Sequence, residues 1–237
     1  MAELIAPPGR LHSSWLAARD EWQPGAHQDG AGLRLVADDD LDSPEGFSSW
    51  VERLRRQSGR SLSVGEGRVH ASHWWIVDGE TYLGAIDLRH YLNAFLLEGG
   101  GHIGYSVRPS ARRRGLAAWA LGKVLLKAPA LGLDRVLLTC DDGNSGSART
   151  IEANGGVLED VRSTAVGVKR RYWITLDLFQ GTYRVVINLW DSSSRRDGVR
   201  WIILHDAHAA DGPGVRSRIS TERDPLFSTG QAWCSSG

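Results

Sequence analysis

A cluster of cationic side chains stands directly before a helix-like apolar run in the middle of the chain, in the stretch ARRRGLAAWA. Arg112, Arg113 and Arg114 would meet the unpaired N–H groups and the partial positive charge of a helix N-terminus, which repels cations. The arrangement becomes favourable when an anion binds there, and Gly115 lets the backbone approach that anion closely. These residues predict a phosphate or pyrophosphate site. The alternative is a basic helix start whose arginines point into water.

Several short motifs surround this cluster. GYSVRPSAR leads into RRRGLA, which begins at Arg112, and Asn144 with Ser147 form an N-x-x-S pattern further on. LRHYLN, IEANGG and KRRYWI complete the set. Together they resemble the GNAT (GCN5-related) N-acetyltransferases, whose fourth strand is followed by a pyrophosphate loop of pattern Q/R-x-x-G-x-G/A. The resemblance covers roughly residues 30 to 178.

The resemblance implies acyl transfer from acetyl-CoA, as co-substrate, to an amine. Family members bind the CoA pyrophosphate with backbone N–H groups of the loop after the fourth strand. The pantetheine arm would pair with the backbone of Val107, much as an added strand does, and Asn144 would contact the same arm. The fourth and fifth strands splay apart in the family and open a slot for the thioester. The loop residues carried over to this chain are Arg112, Arg113, Arg114, Gly115, Leu116 and Ala117.

The reaction needs a group that takes a proton from the amine, whose pKa is about 10. A carboxylate or a histidine can do this, and Glu98 stands just before the fourth strand, where several family members place a catalytic glutamate. We therefore predict Glu98 as the base, with an ordinary solvated loop glutamate as the alternative. His102, His90 and Asp141 are weaker candidates. A backbone N–H of the fourth strand can stabilise charge on the thioester oxygen.

The leaving thiolate can take a proton from a hydroxyl group. Many family members carry a tyrosine for this purpose on the helix after the fifth strand. Counted from Asn144, that position is Ile151, which cannot donate a proton. Ser147 lies one helical turn earlier and is the predicted substitute, unless the thiolate leaves without help from the protein.

An acidic run leads into the region where this family often shapes its acceptor site. A polycationic acceptor, such as an aminoglycoside or a polyamine, would suit these carboxylates, and a solvated acidic loop is the alternative. The acceptor amine itself cannot be read from the sequence. The run comprises Asp38, Asp39, Asp40 and Asp42.

The elements that must position these residues follow from apolar spacing and turn signals. A strong hairpin signal lies at Asp78-Gly79. The strand and helix order, β-β-β-β-α-β-α-β-β, together with the resemblance, predicts an α/β GNAT fold: a central mixed, mostly antiparallel twisted sheet flanked by helices. Helices are predicted over 11–22, 43–59, about four turns within 108–128, and 145–155, with a helical turn over 90–97. Strands are predicted over 32–40, 71–89 as a pair, 102–107, 133–140, 157–161 and 168–178.

Composition narrows the function class. Lys plus Arg and Asp plus Glu both number 28, so the formal net charge is zero, which argues against a general nucleic-acid binder. No apolar run reaches the roughly 20 residues of a membrane helix, and no signal peptide is recognisable, so we expect a cytoplasmic protein. The two cysteines give neither a disulfide framework nor metal spacing.

The chain divides near residue 178. Residues 1–178 form the predicted acetyltransferase domain, including a helical segment over 1–30, and 179–237 form an extension of unknown role. Two β-like runs, 181–190 and 198–206, could make a hairpin that extends the sheet or pairs with a second subunit in a homodimer. A metal site in the extension is conceivable but lacks a fixed element to hold it; its ligands would be His205, Asp206, His208 and Asp211.

Two alternatives to an acetyltransferase remain open at this point. The first is a GNAT-fold sensor that binds acyl-CoA without turnover, because Ile151 replaces the tyrosine and the base is uncertain. The second is an acyltransferase that uses a longer acyl chain. Release of free thiol separates the first from an enzyme, and the mass of co-purified CoA separates the second.

Overall fold

The computed structural model describes residues 1–36, 39–59, 65 and 67–176, together with three strands in the extension. The helices are α1 (His12–Arg19), α2 (Pro44–Arg56), α3 (Leu116–Leu125) and α4 (Ser145–Glu152). The strands are β1 (Glu3–Ile5), β2 (Ala71–Asp78), β3 (Thr81–Arg89), β4 (Ile103–Val107), β5 (Arg135–Asp141), β6 (Val157–Thr164), β7 (Gly167–Thr175), β8 (Leu178–Phe179), β9 (Thr182–Val186) and β10 (Trp201–His205).

Two antiparallel sheets meet between β4 and β5. The first has the order β1-β2-β3-β4 and the second the order β5-β7-β6. At the start of β4 the amide of His102 donates to the carbonyl of Leu137 at 2.6 Å, and beyond it no described backbone hydrogen bond joins β4 to β5. The predicted mostly antiparallel sheet with splayed fourth and fifth strands is therefore confirmed.

A separate hydrophobic core holds helices against each face. One core packs α3 and α4 against the sheets, with Leu121, Val124 and Ile151 fully buried. The other packs α1 and α2 against β2 and β3 and is rich in aromatic rings; the centroids of Trp15 and Trp50 lie 5.2 Å apart. Each such side chain contributes roughly 1.5–3 kcal/mol to the stability of the fold when it is buried. The two cores therefore hold in place the helices and strands that border the gap.

Local signals in the sequence set several boundaries as predicted. The Oγ of Ser43 accepts a hydrogen bond from the amide of Gly46 at 3.1 Å and caps α2, which has Pro44 at its first position. The hairpin of β2 and β3 turns at Gly79, which has a φ of 56°. α4 begins at Ser145, as the sequence indicates.

The strand predicted over 32–40 is wrong. Leu33–Leu35 forms a 3-10 turn instead, because Gly32 adopts a left-handed φ of 73° and its carbonyl accepts a hydrogen bond from Trp50 Nε1 at 3.2 Å. A Cβ at Gly32 would lie 2.3 Å from Leu54, so the turn is fitted closely onto α2. This loop runs beside the gap rather than joining a sheet.

Three helical predictions need smaller corrections. α1 ends at Arg19, earlier than the predicted 22. α3 has 10 residues, fewer than three turns rather than four, and a 3-10 turn at Ala128–Leu131 follows it. The helical turn predicted over 90–97 forms later, as a π-helical turn at Leu96–Gly100.

The extension contributes a third small antiparallel sheet in the order β10-β9-β8, in which Val186 pairs with Trp201. This pairing agrees with the predicted hairpin between the two β-like runs. Asp206, His208 and Asp211 lie outside the described residues, as does Asp38. The domain boundary near residue 178 stays a prediction. No described helix is both long and apolar enough to cross a membrane.

Candidate active site

A cleft of about 1500 Å³ occupies the gap between β4 and β5. Its walls are the loop over residues 22–35, the exposed edge of β4, the start of α3, the end of β5 and the start of α4. The cleft exists because the two sheets separate after the hydrogen bonds between His102 and Leu137. Most of the residues predicted for CoA binding line it.

The predicted anion site lies at the start of α3. Gly115 is the N-cap residue with a φ of 74°, and Arg113 also has a positive φ of 60°. Within the described part of the chain, no acceptor receives a hydrogen bond from the amides of residues 115–118. A Cβ placed on Gly115 would meet nothing within 4 Å, so the space beside its Cα is open. Leu116 and Ala117 line the cleft.

The three arginines are arranged differently from one another. Arg112 Nε donates to the carbonyl of Val107 at 3.2 Å, and its guanidinium lies 4.6 Å from the ring centroid of Trp22. Arg113 is exposed and lines the cleft. Arg114 is exposed but is not part of the cleft wall. Arg113 is therefore the arginine of this loop best placed to meet an anion.

A partly buried ion pair joins the N-terminal segment to the same loop. Glu21 accepts from the guanidinium of Arg108, from the amide of Ser110 at 2.9 Å and from its hydroxyl at 2.9 Å. Hydrogen bonds from Arg108, followed by those from Ser110, lower the pKa of Glu21 to about 2. The neighbouring Trp22 is thereby held against the cleft wall.

The free edge of β4 offers unpaired backbone groups. The amide of Arg108 donates to Leu83 and the carbonyl of His102 accepts from Arg89, so the even-numbered residues of β4 face β3. Alternation along the strand turns the amides of Tyr105 and Val107 toward β5. These two amides have no acceptor among the described residues. The carbonyl of Val107 is occupied by Arg112, so Val107 has its amide available for a pantetheine arm.

A hydroxyl pair lies at the start of α4. Asn144 Oδ1 accepts from the amide of Ser147 at 3.0 Å and caps the helix. Ser147 Oγ lies 2.7 Å from the hydroxyl of Tyr105, which reaches across from β4. Burial raises the pKa of Tyr105. Ile151 is fully buried in the core. Sequence reasoning missed Tyr105, although its odd-numbered place on the strand that carries Val107 was a usable signal.

Glu98 does not enter the cleft. It belongs to the π-helical turn, its side chain is half exposed, and both carboxylate oxygens accept from Arg162, at 3.2 and 3.3 Å. The structure brings Asn144, Ser147 and the α3 amides together around the cleft but not Glu98. Its role as base stays a prediction.

The weaker base candidates have structural partners. His102 Nδ1 accepts from the amide of Leu137 at 2.9 Å, and burial lowers the pKa of His102 to about 4. His90 Nε2 lies 2.9 Å from the hydroxyl of Ser72. Asp141 lines the cleft but forms an ion pair with Lys169.

The described carboxylates of the acidic run form ion pairs with arginines or accept a hydrogen bond from the backbone. Asp42 pairs with Arg19 at 2.7 Å, Asp39 pairs with Arg53, and Asp40 Oδ1 accepts from the amide of Asp42. None of these three carboxylates belongs to the cleft wall. The described part of the run therefore gives no support to a polycationic acceptor.

A buried charged group that the sequence analysis did not single out lines the other end of the cleft. Arg89 pairs with Asp29 at 2.7 Å and with Asp87 at 3.2 Å, and His73 lies nearby. Burial raises the pKa of Asp87 and lowers that of His73. Asp87 and Arg89 are two positions apart on β3 and share a face, which was a sequence signal for the pair. Asp29 lies 60 residues away along the chain and carried no such signal.

The sequence of the central region matches a known family. Residues 41–157 match the family model described as Acetyltransferase (GNAT) domain. These residues form a GNAT acetyltransferase domain. The predicted family is therefore confirmed, and the open α3 amides and splayed strands lie within or against the matched segment. No curated protein sequence matches the chain.

Solved structures share this fold. An acetyltransferase from Salmonella typhimurium that modifies the N-terminal serine of ribosomal protein L7/L12 has a TM-score of 0.52 at 16% identity, covering 74% of this chain and 95% of its own. Mycobacterium smegmatis RimJ, in complex with CoA-disulfide, gives 0.54 at 19%, covering 76% and 84%. The Microcin C7 self-immunity acetyltransferase MccE, in complex with acetyl-CoA and AMP, gives 0.51 at 14%, covering 74% and 92%. These likenesses confirm the fold.

Proposed function

We propose that the GNAT domain transfers an acetyl group from acetyl-CoA to a primary amine of a small molecule or peptide, by direct attack in a ternary complex. The observation that carries the proposal is the set of open amides at residues 115–118, which faces a cleft bordered by a free strand edge. Unpaired amides at a helix start attract anions such as a pyrophosphate. Structural neighbours of this chain bind acetyl-CoA or CoA.

The cofactor-binding roles follow the geometry of the cleft. The amides of Gly115, Leu116 and Ala117 would hold the pyrophosphate, with Arg113 beside them. The pantetheine arm would pair with the amide of Val107, and the side-chain amide NH2 group (Nδ2) of Asn144 is available to it because only Oδ1 is used in capping. The arm then runs along β4 toward the gap between the sheets.

The same course of the arm places the thioester beside the free amide of Tyr105. That amide would donate to the carbonyl oxygen as negative charge develops on it. The Ser147 and Tyr105 hydroxyls would supply a proton to the leaving thiolate, which extends the role predicted for Ser147. Glu98 would have to leave Arg162 before it could act as the base.

The acceptor class with direct support from structural neighbours is a peptide N-terminus. The Salmonella neighbour modifies the N-terminal serine of a ribosomal protein. Small-molecule amines stay in the proposal because the likeness at this level of identity extends to the fold only. We retain the predicted cytoplasmic location and a homodimer as proposals of the same kind.

The test is release of free thiol from acetyl-CoA in the presence of amines. The full chain is incubated with acetyl-CoA and a panel of peptides beginning with serine or alanine, polyamines and aminoglycosides, with amine-free reactions as the control. We expect thiol release with at least one amine and an acetylated product of matching mass. Absence of acetyl-CoA binding by calorimetry would contradict the cofactor assignment.

A non-catalytic acyl-CoA sensor remains the second candidate. It is favoured by the buried Ile151 and by the pairing of Glu98 with Arg162. Tight acetyl-CoA binding without thiol release across the whole panel would favour the sensor over the enzyme. Mass spectrometry of co-purified CoA would reveal a longer acyl chain.

A further inference from the structure

The loop that carries Asp29 lies directly on the backbone of β4. A Cβ on Gly30 would lie 2.2 Å from the carbonyl oxygen of Gly104, and a Cβ on Gly104 would lie 2.3 Å from Asp29 Oδ1. Two glycines that face each other therefore make room for the carboxylate. Gly104 precedes Tyr105, whose amide faces the gap, and consecutive Cα atoms are about 3.8 Å apart. Asp29 thus lies within one residue of the predicted thioester site.

One oxygen of Asp29 is fixed and the other is free. Oδ1 accepts from the amide of Gly30 at 3.0 Å and from Arg89 at 2.7 Å. Arg89 is itself held by the carbonyls of Gly100 and Gly101, at 2.5 and 3.2 Å. Oδ2 has no hydrogen-bond partner in the part of the chain that the structure describes. The carboxylate is therefore oriented by one oxygen and presents the other to the cleft that it lines.

The two faces of β4 separate the two proton-transfer groups. Side chains of consecutive strand residues point to opposite faces. Tyr105 reaches Ser147 on the face that carries α4, whereas Asp29 covers Gly104 on the other face. The hydroxyl pair thus lies on the side of the α3 and α4 N-termini, where the cofactor is proposed to bind. Asp29 lies on the opposite side, from which an amine would approach the thioester carbon.

We propose that Asp29 is the catalytic residue that binds the acceptor amine and takes its proton, with Arg89 as the positioning residue. The proposal rests on the acetyl transfer proposed above and replaces Glu98 in the role of base. The charged and titratable groups around Asp29 are Arg89, Asp87 behind it, His73 on β2, Tyr105 on β4, and His27, whose Nε2 lies 3.9 Å from Oδ1. Of these, Arg89 is 13% exposed and its guanidinium is engaged by Asp29, Asp87 and two backbone carbonyls.

The step balances without any further reactant. The ammonium form of the acceptor first gives one proton to water. The neutral amine nitrogen then forms a bond to the thioester carbon, and the carbonyl electron pair moves to the oxygen beside the Tyr105 amide. The nitrogen, now positively charged, gives a proton to Asp29 Oδ2. The carbonyl then re-forms, the C–S bond breaks, and the sulfur keeps its electron pair and takes a proton from the Tyr105 and Ser147 hydroxyls. Water exchanges protons with both groups and restores them.

The test compares three variants of the full chain. Asp29→Asn and Asp29→Ala remove the base, while Arg89 keeps Asp87 as a partner. Asp42→Asn is the matched control, because Asp42 also pairs with an arginine at 2.7 Å but lies outside the cleft wall. Acetyl-CoA affinity is measured by calorimetry, thiol release with the best amine of the panel, and folding by thermal unfolding. Formate is added to Asp29→Ala as a small replacement carboxylate.

We expect both Asp29 variants to bind acetyl-CoA within about 2-fold of wild type and to lose about 100-fold or more in thiol release. Formate should restore part of the rate of Asp29→Ala and leave Asp42→Asn unaffected; a residue with a merely structural role would not respond to it. A folded Asp29→Asn that keeps wild-type turnover would overturn the assignment of Asp29 alone. A wild-type chain that releases no thiol with any amine would overturn the proposed transfer and this inference together.

Discussion

At the scale of single residues, Gly115 matters because it has no side chain to fill the space at the start of α3. Its φ of 74° and the open space before its Cα allow an anion to reach four unpaired amides. Any side chain at this position would project into that space and would also strain the left-handed backbone, which costs roughly 1–2 kcal/mol. The binding effect and the folding effect can be separated by a second glycine with the same backbone.

Gly115→Val should therefore abolish CoA binding while the fold is retained. Gly132→Val is the control, because Gly132 also has a positive φ, 82°, and open space around it, but lies beyond the other end of α3. Both variants should lose similar thermal stability, and Gly115→Val alone should lose CoA affinity, by about 100-fold or more when the pyrophosphate is blocked. Calorimetry with CoA decides the matter; equal affinities in both variants would remove the anion site.

The hydroxyl pair gives a second prediction at this scale. Tyr105→Phe removes the 2.7 Å hydrogen bond to Ser147 and should lower thiol release at least about 10-fold, since proton transfer to the thiolate is impaired. CoA affinity should stay within about 2-fold, because the Tyr105 amide is unchanged. Tyr91→Phe, an exposed tyrosine outside the cleft wall, serves as the control. Unaltered turnover in Tyr105→Phe would indicate that the thiolate leaves without this proton.

At the scale of elements, the helix beginnings are specified by local chemistry. Ser43→Ala removes the cap of α2 and should lower the free energy of unfolding by about 1 kcal/mol, because the Gly46 amide loses its acceptor. Ser49→Ala, an exposed position within the same helix, should be neutral or slightly stabilising, since alanine favours helices. Urea denaturation measures both; equal losses in the two variants would contradict the capping role.

Most elements could be predicted from the sequence because their signals are local. Ser43 with Pro44 marked α2, and Asp78-Gly79 marked the β2–β3 hairpin. The strand over 32–40 failed because alternating leucines outweighed Gly32, whose left-handed backbone depends on packing against α2. The Asp29–Arg89 pair could not be predicted from the sequence for a different reason. The two residues are 60 positions apart, and only the tertiary fold brings them together at Gly104.

Only part of the candidate site could be predicted from the sequence. The loop proposed as the anion site could be found because its glycine and its cations stand together in one short run directly before α3. Glu98 was predicted from its place before β4, but the sequence does not show that Arg162 on β6 would hold its carboxylate. The Tyr105–Ser147 contact depends on the separation between β4 and β5, which no local pattern encodes.

At the scale of the whole molecule, Glu21 ties the N-terminal segment to the loop before α3. Its pKa falls to about 2 from an ordinary value of 4.5, so its contribution to stability is fully present above pH 4.5 and is lost as the pH falls toward 2. Glu21→Gln should therefore lower the free energy of unfolding near pH 7 by roughly 2–3 kcal/mol, and the difference from wild type should shrink between pH 4.5 and 2.

The control for this prediction is Glu80→Gln, because Glu80 pairs with Arg10 at the surface and is 72% exposed. Denaturant unfolding at a series of pH values measures both variants. A loss of unfolding free energy in Glu21→Gln that stays constant down to pH 2 would contradict the ion-pair explanation. A loss as small as that of Glu80→Gln would show that Glu21 does not hold the N-terminal segment in place.

The unpaired edge of β4 has one more consequence. A strand with free amides accepts another strand as readily as it accepts an elongated ligand, and naked strand edges promote association between chains. The purified protein without CoA should therefore aggregate over time, through β-strand pairing between chains at Tyr105 and Val107. Saturating CoA should prevent this aggregation, because the bound molecule would cover the strand edge.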